Sequence, residues 1–111
     1  MSGNRKCQVL VVGAGPGGYV AAIRSAQLGL DTIIVEAEKA GGVCLNVGCI
    51  PSKAIIHAAE RYEQLGKHSS DEGHMGISVS GKPEVEMKGI VEWKNGIVQR
   101  LTKGVEALVK N

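Results

Sequence analysis

Phenylalanine is absent from the chain, and one tryptophan and two tyrosines make up its whole aromatic content. Aliphatic side chains must therefore build the core. An excess of one charge sign is also missing: 13 Lys and Arg face 11 Asp and Glu, interspersed, for a formal net charge of +2. With no basic stripe there is no electrostatic footprint for nucleic acid. Uninterrupted apolar runs stop short of the roughly 18 residues of a membrane span. Arg5 and Lys6 ahead of an apolar and glycine-rich stretch could open a signal peptide, but that stretch has a better explanation below. Three cysteines are an odd count, which argues against a secreted disulfide framework. Metal is no better served, because Cys7, Cys44, Cys49, His57, His68 and His74 show no zinc-finger spacing.

What is present fits one modest domain or a piece of one: 111 residues, 43% apolar and 22% charged. Residues 1–6 read as a flexible polar start. Cys7 to Val12 is a short β-branched run of the kind expected of a buried parallel strand. Gly13-Ala14-Gly15-Pro16-Gly17-Gly18 follows at once, a GxGxxG between a strand and a helix, which is the context the motif requires. Gly13 allows the tight turn, Gly15 lets backbone approach a pyrophosphate, and Gly18 allows close packing of helix on strand. Pro16 suits the first helical turn, and the helix is expected to run to Leu28 with Gly29 as its stop.

Thr32 to Val35 reads as a second buried strand, and Glu36 stands at its end, the acid that the fingerprint predicts. A carboxylate there accepts hydrogen bonds from the ribose hydroxyls of an adenosine and repels a 2′-phosphate, so an NADP-type ligand is disfavoured. Strand, glycines, helix, strand and acid in register make nucleotide binding the expectation.

Cys44 and Cys49 lie five positions apart within Gly41 to Lys53. A loop this short is a poor structural staple, because cross-link stabilisation grows with loop length, so chemistry is the better reading. Pro51 suggests that a helix begins there, placing Cys49 beside helix-terminal amides. Ile55, Ala59, Tyr62 and Leu65 continue at helical spacing to Gly66, with Lys53 on the first turns. His57 reads as a surface or packed histidine. Residues 67–83, including His68, His74 and Met75, read as a loop without chemistry, with a short extended piece at Gly76 to Val79. Residues 84–109 keep helical apolar phase as one long helix. Gly89, Gly96 and Gly104 cost about 1 kcal/mol each in a helix interior, so Asn95-Gly96 is an alternative break. Trp93 reads as a packing anchor.

A glycine fingerprint followed by a CxxxxC pair resembles the flavoprotein disulfide oxidoreductases, and among them the dihydrolipoamide dehydrogenases. The resemblance rests on Val11 to Tyr19, Glu36, GGVCLNVGCIPSK at Gly41 to Lys53, and Trp93 to Val98 leading to Arg100-Leu101, covering nearly the whole chain. Glutathione and mercuric reductases are the runner-up activities; they usually carry Val where Leu45 stands here. Many relatives have Thr at the position of Val43, which removes a hydroxyl contact to the cofactor.

The resemblance implies an open parallel α/β sheet of the FAD/NAD(P)-binding Rossmann type, as an incomplete domain. It implies one non-covalent FAD, with Gly13, Gly15, Pro16 and Gly18 at the pyrophosphate, Glu36 on the ribose, and Gly42, Val43, Cys44, Cys49 and Lys53 toward the flavin. Cys44 and Cys49 would form a redox-active disulfide, Cys44 exchanging with the dithiol substrate and Cys49 nearest the flavin, while Lys53 tunes the ring. Gly48 would help the backbone approach the flavin, and Cys7 would be a small buried residue. NAD+ is implied as co-substrate at a site absent from these residues, which contain no second GxGxxG. The implied partners are lipoyl groups of 2-oxo acid dehydrogenase complexes or of the glycine cleavage system, with a homodimer for the full-length protein. The implied location is cytoplasmic, or the mitochondrial matrix in a eukaryote. Family members are several times longer, so the chain is expected to be an N-terminal segment, inactive by itself. Two other classes stay open: a nucleotide-binding module with inert cysteines, and a small thioredoxin-like dithiol protein, for which the CxxxxC spacing is unsuited.

Overall fold

The computed structural model describes residues 4–69 and 75–110. The expectation for His74, and parts of those for residues 1–6 and for the 67–83 loop, lie outside the described residues. Two strands, β1 (Val9–Val12) and β2 (Thr32–Val35), pair in parallel with Val9 opposite Thr32 and Val12 opposite Val35. Helix α1 (Pro16–Gln27) makes the crossover that parallel strands require. Gly29 stops it as expected, its φ of 83° turning the chain so that the Leu30 N–H reaches the Ser25 carbonyl at 3.1 Å. Gln8 extends the pairing by side chain, its Oε1 accepting from the Asp31 N–H at 2.8 Å.

The cysteine segment departs from expectation. A five-residue helix, α2 (Gly42–Asn46), precedes α3 (Cys49–His68), which starts at Cys49 and not at Pro51. Pro51 still lies in the first turn, where its missing N–H has no partner to lose. The last helix, α4 (Met87–Lys110), is continuous through Asn95-Gly96, so the alternative break is not realised. An apolar stripe held against α3, α2 and α1 outweighs the intrinsic cost of three glycines.

Burial is concentrated where these pieces meet. Ala14, Ala22 of α1, Leu45 of α2, Ala54 of α3 and Val105 of α4 form the buried apolar set. Three of the five are alanines, so the backbones approach closely around the two larger side chains, Leu45 and Val105. Both strands are less buried than the sequence implied: Leu10 is 58% and Val12 79% exposed. Cys7 is half-buried and precedes β1, which corrects its reading as a buried strand residue.

The radius of gyration is 21.1 Å, against about 13 Å for a compact domain of this length. A two-stranded sheet is marginal by itself, and this one leaves its outer edges unpaired among the described residues. Within Gly42–His68, 27 residues long, an 18-residue stretch reaches a mean hydropathy of 1.2, enough by length and composition alone to cross a membrane. The chain breaks at Val47-Gly48 between α2 and α3, and an interrupted helix leaves backbone groups unpaired in lipid.

Candidate functional site

The glycine turn is shaped by contacts that only glycine permits. Gly13 turns the chain with φ of 96°. At Gly18 a Cβ would run into the Gly13 carbonyl oxygen and stand 2.9 Å from its carbon, so α1 lies closer to the turn than a side chain allows. At Gly15 and Gly17 a Cβ would meet nothing within 4 Å, which leaves the mouth of the turn open at the start of α1. Open backbone at a helix N-terminus is suited to an anion.

Glu36 closes the turn from the other side. Its Oε2 accepts from the Ala14 N–H at 2.6 Å and its Oε1 from the Glu38 N–H at 3.0 Å. The amides of Glu38 and Ala14, in that order, hold the carboxyl below the usual carboxylate range. An ionised carboxylate has about four acceptor sites, so roughly two stay available for hydroxyl donors. The end of β2 is thereby tied to the turn after β1 by the same side chain the fingerprint assigns to a ligand.

A cavity of about 550 Å³ opens beside Glu36. Glu36, Lys39, Gly42, Val43 and Asn46 form one wall, and Asn95, Val98 and Gln99 of α4 face them. Of the ten expected site residues, Glu36, Gly42 and Val43 line it. Gly13, Gly15, Pro16 and Gly18 are not in its lining; of these, Gly15 packs against the lining residue Gly42, where an added Cβ would stand 2.7 Å from the Gly15 Cα. Cys44, Cys49 and Lys53 lie outside this cavity and make a second cluster. Sequence reasoning missed Asn46 and the α4 residues. Asn95 and Gln99 recur four apart on one helix face, a polar interruption of the stripe that could have flagged them.

The thiol cluster is built by α2 and the start of α3. Cys44 is half-buried in the middle of α2, and Cys49 is exposed at the first position of α3. The bend between them depends on Gly48, where a Cβ would stand 3.0 Å from the Val43 carbonyl oxygen and 3.2 Å from the Cys44 Cα. Gly48 thus permits the two cysteine segments to meet, a reason within the chain for a glycine that the sequence reading assigned to cofactor approach. Ser52 closes the first turn of α3, its hydroxyl donating to the Gly48 carbonyl at 2.7 Å.

Both cysteines are free thiols. A hydrogen bond with Cys49, followed by desolvation, pushes the Cys44 thiol above its ordinary value, while the Lys53 ammonium acts in the opposite direction. The folded value exceeds the unfolded one, so this contribution to stability is present below the ordinary thiol range. It is lost as pH rises through the raised value. Removing the partner removes the largest cause: in a reduced Cys49→Ala protein, iodoacetamide should alkylate Cys44 with a midpoint at lower pH than in wild type. Peptide mass spectrometry across alkaline pH checks this, and an unchanged or higher midpoint contradicts it.

His57 stacks on Trp93 with ring centroids 6.4 Å apart, joining α3 to α4. His57 is exposed, in keeping with its reading as a surface or packed histidine. Trp93, expected as a packing anchor, packs against α3 through this histidine while staying 46% exposed.

A strand, a glycine turn, an acid at the end of the second parallel strand and a CxxxxC dithiol at a helix start define a class. The chain belongs to the pyridine nucleotide-disulphide oxidoreductases, whose family model matches residues 7–111. It is 54% identical to a dihydrolipoyl dehydrogenase of Pseudomonas aeruginosa over 99% of this chain and 23% of that protein. A dihydrolipoyl dehydrogenase of Geobacillus stearothermophilus is 56% identical over 93% of this chain and 21% of its own length. The archaeon Haloarcula marismortui has a dihydrolipoyl dehydrogenase 2 that is 54% identical over 94% of this chain. The chain therefore spans about a fifth of the length of the curated relatives it matches. Among solved structures, the HOCl-induced flavoprotein disulfide reductase RclA from Escherichia coli, as its Cu(II) complex, superposes with a TM-score of 0.70. It does so at 22% identity, over 93% of this chain and 19% of that one.

Proposed function

We propose that these residues are the FAD-binding and redox-dithiol segment of a dihydrolipoyl dehydrogenase. The observation that carries this reading is the pair of thiols in contact at the head of α3, in a chain more than half identical to such enzymes over nearly its whole length. The residues present fit FAD: a turn open at Gly15, a helix start behind it, and a carboxylate with acceptor capacity to spare. Gly13, Gly15, Pro16 and Gly18 would hold the pyrophosphate, Glu36 the adenosine ribose, and Gly42 and Val43 the stretch leading to the flavin. When bound, FAD supplies two-electron chemistry linking a dithiol to a nicotinamide.

The chain's own work is thiol exchange. One sulfur of dihydrolipoamide attacks Cys44 of the oxidised pair, the Cys44–Cys49 bond breaks, and Cys49 leaves as the thiolate. The second substrate sulfur then attacks the mixed disulfide, closing the lipoyl ring and releasing Cys44. Substrate loses two electrons and the cysteine pair gains them. Lys53, whose charge already acts on Cys44, would hold countercharge beside the reduced pair. NAD+ is the proposed final acceptor, lipoyl groups of multienzyme complexes the partners, a homodimer the assembly and the cytoplasm the location.

A full-length protein carrying these residues should retain FAD and produce NADH from dihydrolipoamide and NAD+. Dithiothreitol should raise its titratable thiols by two, assignable to Cys44 and Cys49. No flavin uptake together with an unchanged thiol count would instead favour an inert nucleotide-binding module. Preference for glutathione disulfide or mercuric ion would move the assignment to the runner-up reductases.

A further inference from the structure

The residue midway between the two cysteines is held from three directions. Asn46 Nδ2 donates to the Ala40 carbonyl at 3.0 Å and to the Gly42 carbonyl at 2.9 Å, binding the last residue of α2 to the turn that opens it. Its Oδ1 accepts from the Thr102 hydroxyl of α4 at 3.1 Å, a bond spanning 56 positions of sequence. Asn46 and Thr102 are both partly buried, which reduces but does not remove the access of water as a substitute partner. Thr102 lies one turn beyond Val98 and Gln99, the part of α4 that walls the cavity beside Glu36.

The consequence concerns the geometry of the dithiol. Cys44 and Cys49 belong to different helices, joined only through Val47 and Gly48. A loop of this length samples many separations unless something holds it, and closing it for sulfur–sulfur bonding then costs conformational entropy. Gly48 removes the steric obstacle to approach, but it supplies no attraction. The side-chain bond that joins the intervening stretch to a distant element comes from Asn46.

We propose that the Thr102–Asn46 hydrogen bond is a positioning device for the redox pair, holding the loop between Cys44 and Cys49 so that disulfide formation is favoured. Thr102 touches neither sulfur and acts through Asn46. The inference rests on the reading of Cys44 and Cys49 as a cycling pair, and it assigns to α4 a part in setting their redox equilibrium in addition to its packing role.

Thr102→Val keeps the shape of the side chain and removes the donor, whereas Thr102→Ser keeps the donor and loses a methyl group. Full-length apoprotein would be equilibrated with reduced and oxidised glutathione, quenched with acid, and its Cys44/Cys49 pair scored by mass as dithiol or disulfide. In that equilibrium the two protein thiols are oxidised to the disulfide while one glutathione disulfide is reduced to two glutathione thiols. A neutral hydrogen bond is worth about 0.5–1.5 kcal/mol, so Thr102→Val should shift the constant toward the dithiol by roughly two- to twelvefold at most. Thr102→Ser should stay within about twofold of wild type, and far-UV circular dichroism of both should match wild type. Thr102→Ala gives the same readout should the valine protein fail to fold. A wild-type constant in the valine or alanine protein, or an equal shift in the serine protein, overturns the proposal. A wild-type pair that never forms the disulfide in this buffer overturns the underlying reading instead, so the two failures are distinct.

Discussion

Cys44→Ser in the full-length protein is expected to leave fold and flavin content intact while lowering dihydrolipoamide oxidation by about three orders of magnitude or more, the scale of loss when a nucleophile is removed. Cys49→Ser should be equally inactive in turnover, yet the two proteins should differ when offered lipoamide. In the Cys49→Ser protein the Cys44 thiolate can open the lipoamide ring, forming one mixed disulfide and freeing one substrate thiol. Because the freed substrate thiol can close the ring again and release Cys44, the adduct is trapped by capping that thiol with iodoacetamide, and it should then appear on Cys44 as the added mass of one alkylated lipoamide. The Cys44→Ser protein should carry none. The structure alone would not select this polarity, since Cys49 is the more exposed of the two thiols. Adduct on Cys49 in place of Cys44 would reverse the assigned roles.

The second large effect is expected at Gly18. An alanine there would drive its Cβ into the Gly13 carbonyl, a backbone atom that yields only if α1 or the turn moves. Because α1 carries Ala22 into the buried set, the displacement reaches the core. Gly18→Ala should destabilise the protein by roughly 3 kcal/mol or more, the range of severe overpacking, with loss of flavin. Gly17→Ala is the control one residue away. Its Cβ meets nothing within 4 Å, so stability should stay within about 1 kcal/mol of wild type. Denaturant midpoints of the two proteins decide the matter, and similar losses at both positions would remove the steric explanation.

Much of the fold was legible because its signals are local. Val9 to Val12 and Thr32 to Val35 are β-branched runs, the glycines sit where a strand must turn into a helix, and Gly29 stops α1 where a positive φ is needed. Each of these depends on backbone sterics within a few residues. The expectations that missed share the opposite character. Helix α2 has too few residues for periodicity to register, and α3 starts at Cys49 because Gly48 allows a bend that Pro51 does not mark. Burial of the strands was overestimated because an apolar run reports the propensity to be covered, whereas coverage depends on which elements are there to cover it.

The sequence by itself determined the class of chemistry. The glycine fingerprint, the acid at Glu36 and the five-position spacing of Cys44 and Cys49 are read directly from residue types and intervals. Tertiary structure decided how those parts are held. It gave Glu36 a bond to Ala14 across 22 positions, set Asn95, Val98 and Gln99 opposite it, and joined Asn46 to Thr102 across 56. The reason is physical: spacing along a chain encodes backbone conformation, but a hydrogen bond between distant side chains exists only after separate helices have packed. The cysteine pair is therefore legible as a pair in the sequence, while its link to α4 through Asn46 emerges only from the fold.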